Sequence, residues 1–219
     1  MALFFLHPAL RVFDRLGLGE RLFVRARLLT APLEEVARRV EGPRVLDVGC
    51  GHGVLCALLA VGFPDRRVVG IDPDPRKVHW ARASVGRLPH TRFEAVTVDA
   101  LADREAASFD TVTVADVLYL LPPAEWPAFV RACHRLLKPG GQLLLKEAED
   151  DGSWRAKKAL LQEKVMVGLG RTRASGGLGF QPREVTLEAL KAAGFRVDEV
   201  RKLSRRSTTP HVLFEARSV

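Results

Sequence analysis

The stretch Val45-Leu-Asp-Val-Gly-Cys-Gly-His-Gly53 decides the fold. A short apolar strand, broken only by Asp47 near its end, runs into three glycines at alternate positions. Such a turn lets a ligand touch bare backbone, which only glycine permits cheaply. The helix beginning near Gly53 aims unpaired N–H groups and the positive end of its dipole at the same spot. The spacing is G-x-G-x-G, and Val54 stands where a dinucleotide fingerprint carries its third glycine. A glycine triplet also serves a purely structural turn, so its meaning depends on what surrounds it.

Downstream, short apolar runs alternate with helical patterns. Strands are predicted at 44–48, 67–71, 92–96, 111–115 and 142–146, with helices at 54–61, 75–85 and 123–137. This is the order of a parallel sheet with crossover helices. Each strand run is nearly continuous Val, Leu, Ile or Thr, as strands covered on both faces require. The third of these helices stops at Lys138-Pro-Gly-Gly141, a strong terminator. Acids punctuate the strand ends in turn: Asp47, then Asp72 in Gly70-Ile-Asp-Pro73, Asp99 in Val98-Asp-Ala100, and Asp116 after Ala115. In open α/β sheets ligands sit outside the carboxyl ends of the strands, so the four acids converge on one crevice. Asp72, about twenty residues beyond the glycines, suits the paired hydroxyls of a ribose and marks a nucleoside without saying which. Asp99 suits an adenine amino group.

VLDVGCGHG (45–53), GIDPD (70–74), VDA (98–100), FDTVTVADVLYLLP (109–122) and LLKPGGQLLL (136–145) resemble the successive motifs of the class I S-adenosylmethionine (AdoMet)-dependent methyltransferases, in family order. After AGF (193–195), two further strand patterns at 195–203 and 211–216 form a hairpin similar to that family's last two strands. The resemblance implies an α/β fold: a doubly wound, mostly parallel seven-stranded sheet, Rossmann-like, with an antiparallel last strand; the helical N-terminal cap and residues 150–183 fall outside the shared pattern. One domain is expected over 1–219. It comprises a cap (1–43), an AdoMet-binding core (44–149), an inserted helix and glycine-rich loop (150–183), and a last helix with the terminal hairpin (184–219).

Carried over position by position, the resemblance gives these roles. Gly49 and Gly51, with Cys50 between them, pass the methionine and ribose parts of AdoMet, and Asp47 helps hold the methionine ammonium through water. Asp72 binds the ribose hydroxyls and Pro73 lies against the adenine. Asp99 accepts from the adenine amino group while Ala100 offers its N–H to the ring. Ala115 and Asp116 border the methionine end and the reacting methyl. His52 reads as a loop residue near the cofactor rather than a catalytic one.

A sulfonium methyl is already electrophilic, so the protein must mainly align a nucleophile and remove a proton. No zinc spacing, P-loop or G-x-S-x-G is present to indicate other chemistry, and no metal site is expected. The fourth strand leads into Ala115-Asp-Val-Leu-Tyr119, not the Asp/Asn-Pro-Pro-aromatic pattern of adenine-N6 enzymes, which argues against methylation of DNA bases. An antiparallel last strand starts at the sheet edge where the parallel strands finish. His211, Lys146-Glu147 and Tyr119 should therefore approach one mouth. His211 or Tyr119 is expected to contact the acceptor, with Glu147 orienting it; hydrogen bonds to loops are the plainer role for each. His134 reads as a helix-surface or packing residue, on a helix that runs away from this mouth.

The chain has 219 residues, enough for one domain, with the 47% hydrophobic and 27% charged balance of an ordinary globular protein. The apolar start, Met1 to Leu6, stops at His7-Pro8, so neither an anchor nor a signal peptide is expected. Cys50, Cys56 and Cys133 form no CxxC pair, which suits reduced thiols and a cytoplasmic protein. Of the net charge of +8, residues 153–206 hold thirteen basic and five acidic side chains. That stretch suits an anionic partner, or is simply a solvated surface. In the cap, Leu33, Val36, Ala37 and Val40 recur at helical spacing, after a mixture of Phe, Leu, Val and Arg over residues 3–29. It reads as a packed cap, a lid over an apolar substrate, or a membrane-surface helix with peripheral membrane contact. The leading expectation is O- or N-methylation of a small or lipid-like acceptor, amphipathic and anionic, under residues 1–40 and 150–183. The alternative is an RNA or protein methyltransferase using the basic stretch, although the aromatic interleaving of a nucleic-acid surface is missing. A non-catalytic AdoMet-binding subunit is the third reading.

Overall fold

A computed structural model describes residues 8–150, 152–154, 160–161, 180–203 and 209–219. Seven strands among them form one sheet in the order β3-β2-β1-β4-β5-β7-β6. They are β1 (Arg44–Val48), β2 (Arg67–Ile71), β3 (Thr91–Glu94), β4 (Phe109–Ala115), β5 (Leu137–Ala148), β6 (Phe195–Lys202) and β7 (His211–Ser218). β1 to β5 run parallel, and β7 pairs antiparallel with both β5 and β6. Helices α1 (Leu18–Thr30), α2 (Leu33–Ala37), α3 (Val54–Gly62) and α4 (Pro75–Ala83) precede α5 (Val98–Ala102), α6 (Trp126–Leu136) and α7 (Arg183–Ala192).

The sheet is covered on both faces. Val24 and Leu28 of α1, Val36 of α2, Leu55 and Leu59 of α3 and Val78 of α4 share one core with Val45, Leu144 and Leu213. Leu101 of α5, Val130 and Leu136 of α6 and Leu190 of α7 share the other with Leu46, Val112, Leu145 and Phe214. Adjacent β5 residues thus face opposite layers, as strand alternation requires. α3, with the sequence VLCALLAVG, is apolar on every side of its first two turns and buried there, as expected of a helix wedged between sheet and cap.

β1 and β2 have the predicted bounds. β3 ends at Glu94, short of the predicted 96, and the chain enters α5, in which Thr97 caps the first turn by accepting from Ala100 N–H. Asp99 therefore lies on a short helix rather than at a strand end. β5 begins earlier than predicted, because Leu137 already pairs with Phe109 across a register shift. Most of the predicted helix at 154–167, the glycine-rich loop at 168–179 and most of the 204–210 turn lie outside the described residues.

Candidate active site

The glycine turn is built as its spacing demands. Gly49, Gly51 and Gly53 all adopt positive φ (73°, 55° and 81°), a region that L side chains enter only with strain. A Cβ on Gly49 would lie 2.4 Å from Val117 Cγ2, so glycine is needed there to pack the turn against the loop after β4. A Cβ on Gly51 would meet no described atom within 4 Å. That stretch of backbone faces open space, which is where a ligand fits. Gly49 and Cys50 donate their N–H groups to Ile71 C=O at 2.8 and 2.9 Å. The turn is thereby tied to the end of β2.

Asp72 is buried and fixed from two sides, accepting from Gly51 N–H at 3.1 Å and from Asp74 N–H at 2.9 Å. Its carboxylate joins the glycine turn to the edge of β2, and Pro73 beside it is exposed, free to cover a flat ring. Asp47 is buried deeper, accepting from Thr113 Oγ1 at 2.9 Å and Cys56 Sγ at 3.3 Å. Burial raises its carboxyl to about 6 despite both hydrogen bonds. A bound cation such as an ammonium would favour its ionised form. The Cys50 side chain turns inward to the core and packs near Gly70, so only its backbone borders the turn. Asp99 and Ala100 are exposed, and Ala100 N–H is donated to Thr97 Oγ1 at 3.3 Å. An adenine contact through that amide would have to displace the cap.

At the mouth, Asp116 stands just beyond β4 with a positive φ of 61°. It is over-determined by its partners, as strained residues at functional sites are. Lys146 Nζ donates to both of its oxygens (2.6 Å to Oδ1), and Arg27 of α1 reaches across to donate to Oδ2 at 2.6 Å. Burial alone would raise the Asp116 carboxyl, but these two cations hold it well below the usual carboxylate range. Lys146, fully buried, is lowered to about 8 by desolvation, with Asp116 opposing.

His211 pairs with Ala148 in the β5–β7 register, which brings it to the predicted mouth. Its Nε2 lies 3.4 Å from Thr30 C=O, at the end of α1. With the proton on that nitrogen, Nδ1 presents a lone pair. Among the described residues Nδ1 has no hydrogen-bond partner, and Asp116 Oδ1 is 4.0 Å away. Burial and the Lys146 charge lower the imidazole to about 3, so it is neutral at physiological pH.

Glu147 departs from expectation. Strand alternation sends its side chain to the layer opposite Lys146, and its hydrogen bonds go there rather than to His211. There Oε1 accepts from Val117 N–H (3.0 Å) and Leu118 N–H (2.9 Å). It braces the loop that carries Tyr119 rather than orienting an imidazole. Its carboxyl is raised to about 8 by burial and by the Asp116 charge. Tyr119 is buried with its ring edge-on to Phe180 (5.3 Å between centroids, 85°) and beside Ala148.

Arg27 is the main residue that the sequence did not reveal. The i+30 spacing of Asp116 and Lys146 gave no hint of a third partner, since that partner comes from a cap helix distant in sequence. His52 is sandwiched between Trp80 of α4 (4.7 Å, 9°) and Phe23 of α1 (4.7 Å, 37°). It pins α1 over the glycine turn, in keeping with a loop rather than a catalytic role. His134 packs edge-on against Phe195, as expected. The described residues contain no metal-type cluster of His, Cys, Asp or Glu, and no helix long and apolar enough to cross a membrane.

A methyltransferase-domain family model matches residues 20–200. The chain is similar to the ubiquinone biosynthesis O-methyltransferase of Paracidovorax citrulli (strain AAC00-1), with 43% identity over 105 residues, 47% of this chain and 42% of that protein. It thus spans less than half the length of that relative. Among solved structures it resembles a putative methyltransferase in complex with the Haloferax volcanii Trm112 activator (TM-score 0.71, 19% identity, 90% of this chain and 92% of that one). It also resembles a mitomycin 7-O-methyltransferase (TM-score 0.71, 17% identity, 96% and 60%). At 19% and 17% identity these likenesses show the fold. With the family match covering most of the chain, the chain belongs to the class I AdoMet-dependent methyltransferase family.

Proposed function

We propose that this protein transfers the methyl group of AdoMet to a hydroxyl oxygen of a small-molecule acceptor held under α1. The observation that carries the reading is the pairing of Gly51 with Asp72. Bare backbone facing open space meets a carboxylate fixed by two amides, which fits a nucleoside with free ribose hydroxyls. The O-methyltransferase named among the relatives supports an oxygen acceptor.

When bound, AdoMet supplies a sulfonium methyl open to in-line attack. Asp47 would hold the ammonium of its methionine end and Asp72 its ribose, with Ala115 and Asp116 bordering the methyl. The cations around Asp116 favour an oxygen acceptor, because Arg27 and Lys146 stabilise the negative charge that oxygen gains on losing its proton. Neutral His211 presents the Nδ1 lone pair as a hydrogen-bond acceptor that orients the hydroxyl toward the methyl. Tyr119 and Phe180 supply an apolar wall.

Incubating the full chain with methyl-labelled AdoMet and separate pools of phenols, carboxylic acids, lipids, RNA and protein tests this. Label should appear as an O-methyl group in the phenol or lipid pool. His211→Ala should lower kcat about a hundredfold, as loss of the group that orients the reacting hydroxyl can, with AdoMet affinity kept. Label confined to RNA or protein would replace the acceptor assignment. An unchanged rate in His211→Ala would remove His211 from the mechanism.

A further inference from the structure

α1 presents three faces. Val24 and Leu28 are buried in the core beneath it. Phe23 and Arg27 point into the site, toward His52 and Asp116. The third face points outward and is apolar: Leu18 is 71% exposed, Leu22 55% and Leu29 48%. At about 100° per residue these leucines fall within roughly 40° of arc, one stripe along the helix, and exposed Ala26 widens it. Seven large hydrophobic side chains are exposed among the described residues, and three of them are on this stripe. Single exposed leucines are common on monomers, whereas a row of them marks an interaction surface.

The stripe's surroundings carry the charge of its partner. Arg21 and Arg25 flank it along α1, and exposed Arg11 and Arg15 lie just before the helix. Two acids accompany them: Asp14, 3.6 Å from Arg21, and Glu20. An apolar stripe edged by arginines matches a surface with an anionic polar layer over an apolar interior, which is an anionic lipid bilayer.

We propose that the outward face of α1 docks on anionic lipid surfaces, with its leucines in the headgroup–acyl boundary and its arginines on the headgroups. Docked this way, the helix that roofs the active site lies against the membrane, and a lipid-borne acceptor reaches the mouth from the bilayer. Docking itself does not depend on methyl transfer. The delivery of an acceptor rests on the proposed function.

Co-sedimentation of the full chain with phosphatidylcholine vesicles, with and without phosphatidylglycerol, tests the docking. The chain should pellet with the phosphatidylglycerol vesicles and be released by salt. The double variant Leu18→Glu/Leu22→Glu should partition at least about tenfold more weakly. Calorimetry with AdoMet on the same variant should give wild-type affinity, which shows an intact fold and separates failure of docking from failure of the cofactor reading. Absence of wild-type binding to phosphatidylglycerol vesicles, or equal binding by the variant, would overturn the proposal. So would a concentration-dependent dimer in sedimentation velocity that the variant abolishes, since a second copy would then occupy the face.

Discussion

The two central glycines of the turn answer different demands, and the same substitution separates them. At Gly49, alanine would collide with Val117 at 2.4 Å in a left-handed conformation, so Gly49→Ala should lower both thermal stability and AdoMet affinity. At Gly51 the added methyl meets nothing described, and the strain of φ 55° costs about 1–2 kcal/mol. Gly51→Ala should therefore stay folded by circular dichroism yet lose AdoMet binding in calorimetry. Retained binding would show that this backbone does not touch the ligand. Asp47 makes a second prediction, in pH. Its folded-state carboxyl is raised from 3.8 to about 6, so the folded state keeps its proton longer than the unfolded chain. Its contribution to stability is then fully present below 3.8 and is lost as pH rises through 6, about 3 kcal/mol in all. Recognition of an ammonium has the opposite sign, because only the ionised form pairs with it. AdoMet affinity should rise with pH through about 6 in the wild type and be flat across that window in Asp47→Asn.

Among the elements, β5 shows how one strand serves two layers. Lys146 faces α1 and the mouth, while Glu147 faces the loop after β4. Glu147→Ala leaves two buried amides without an acceptor, which costs about 3 kcal/mol or more, and should lower Tm clearly. Glu147→Gln keeps an oxygen acceptor and should restore most of that Tm and the kcat with it. A variant with wild-type Tm but lost kcat would instead give Glu147 a part in the chemistry. The strands were legible because their residues obey one rule throughout: β1 and β2 are apolar runs closed by an acid or a turn, and their ends can be read to the residue. α1 was not legible as a continuous helix, since its outward leucines and inward Arg27 break the single apolar stripe by which amphipathic helices are recognised. β3 was overread because Val96 and Val98 continue its apolar pattern, while the Thr97 cap redirects the chain into α5. The acids at 47, 72 and 116 were placed by motif. Their partners Thr113, Cys56 and Arg27 were not, because no local pattern announces a contact across the sheet.

At the scale of the whole molecule, the group of buried Asp116, Lys146 and His211 with half-buried Arg27 joins the cap, the middle of the sheet and the terminal hairpin. Lys146→Met leaves Asp116 buried with Arg27 alone and should destabilise the fold by about 3–5 kcal/mol, measured by denaturant unfolding. Lys146→Met/Asp116→Asn should recover much of that loss, since the uncompensated charge goes with it. An additive double variant would mean that the two groups are not coupled. The same architecture sets the glycine turn, Asp47 and Asp72 along one crevice, and all the proposed chemistry depends on what that crevice binds. Titrating AdoMet into the wild-type chain and into Asp72→Asn in a calorimeter tests this most directly. A single saturable site in the wild type, weakened strongly by Asp72→Asn, is the expected result; no heat from AdoMet, together with saturable binding of a nicotinamide dinucleotide or a flavin, would contradict it.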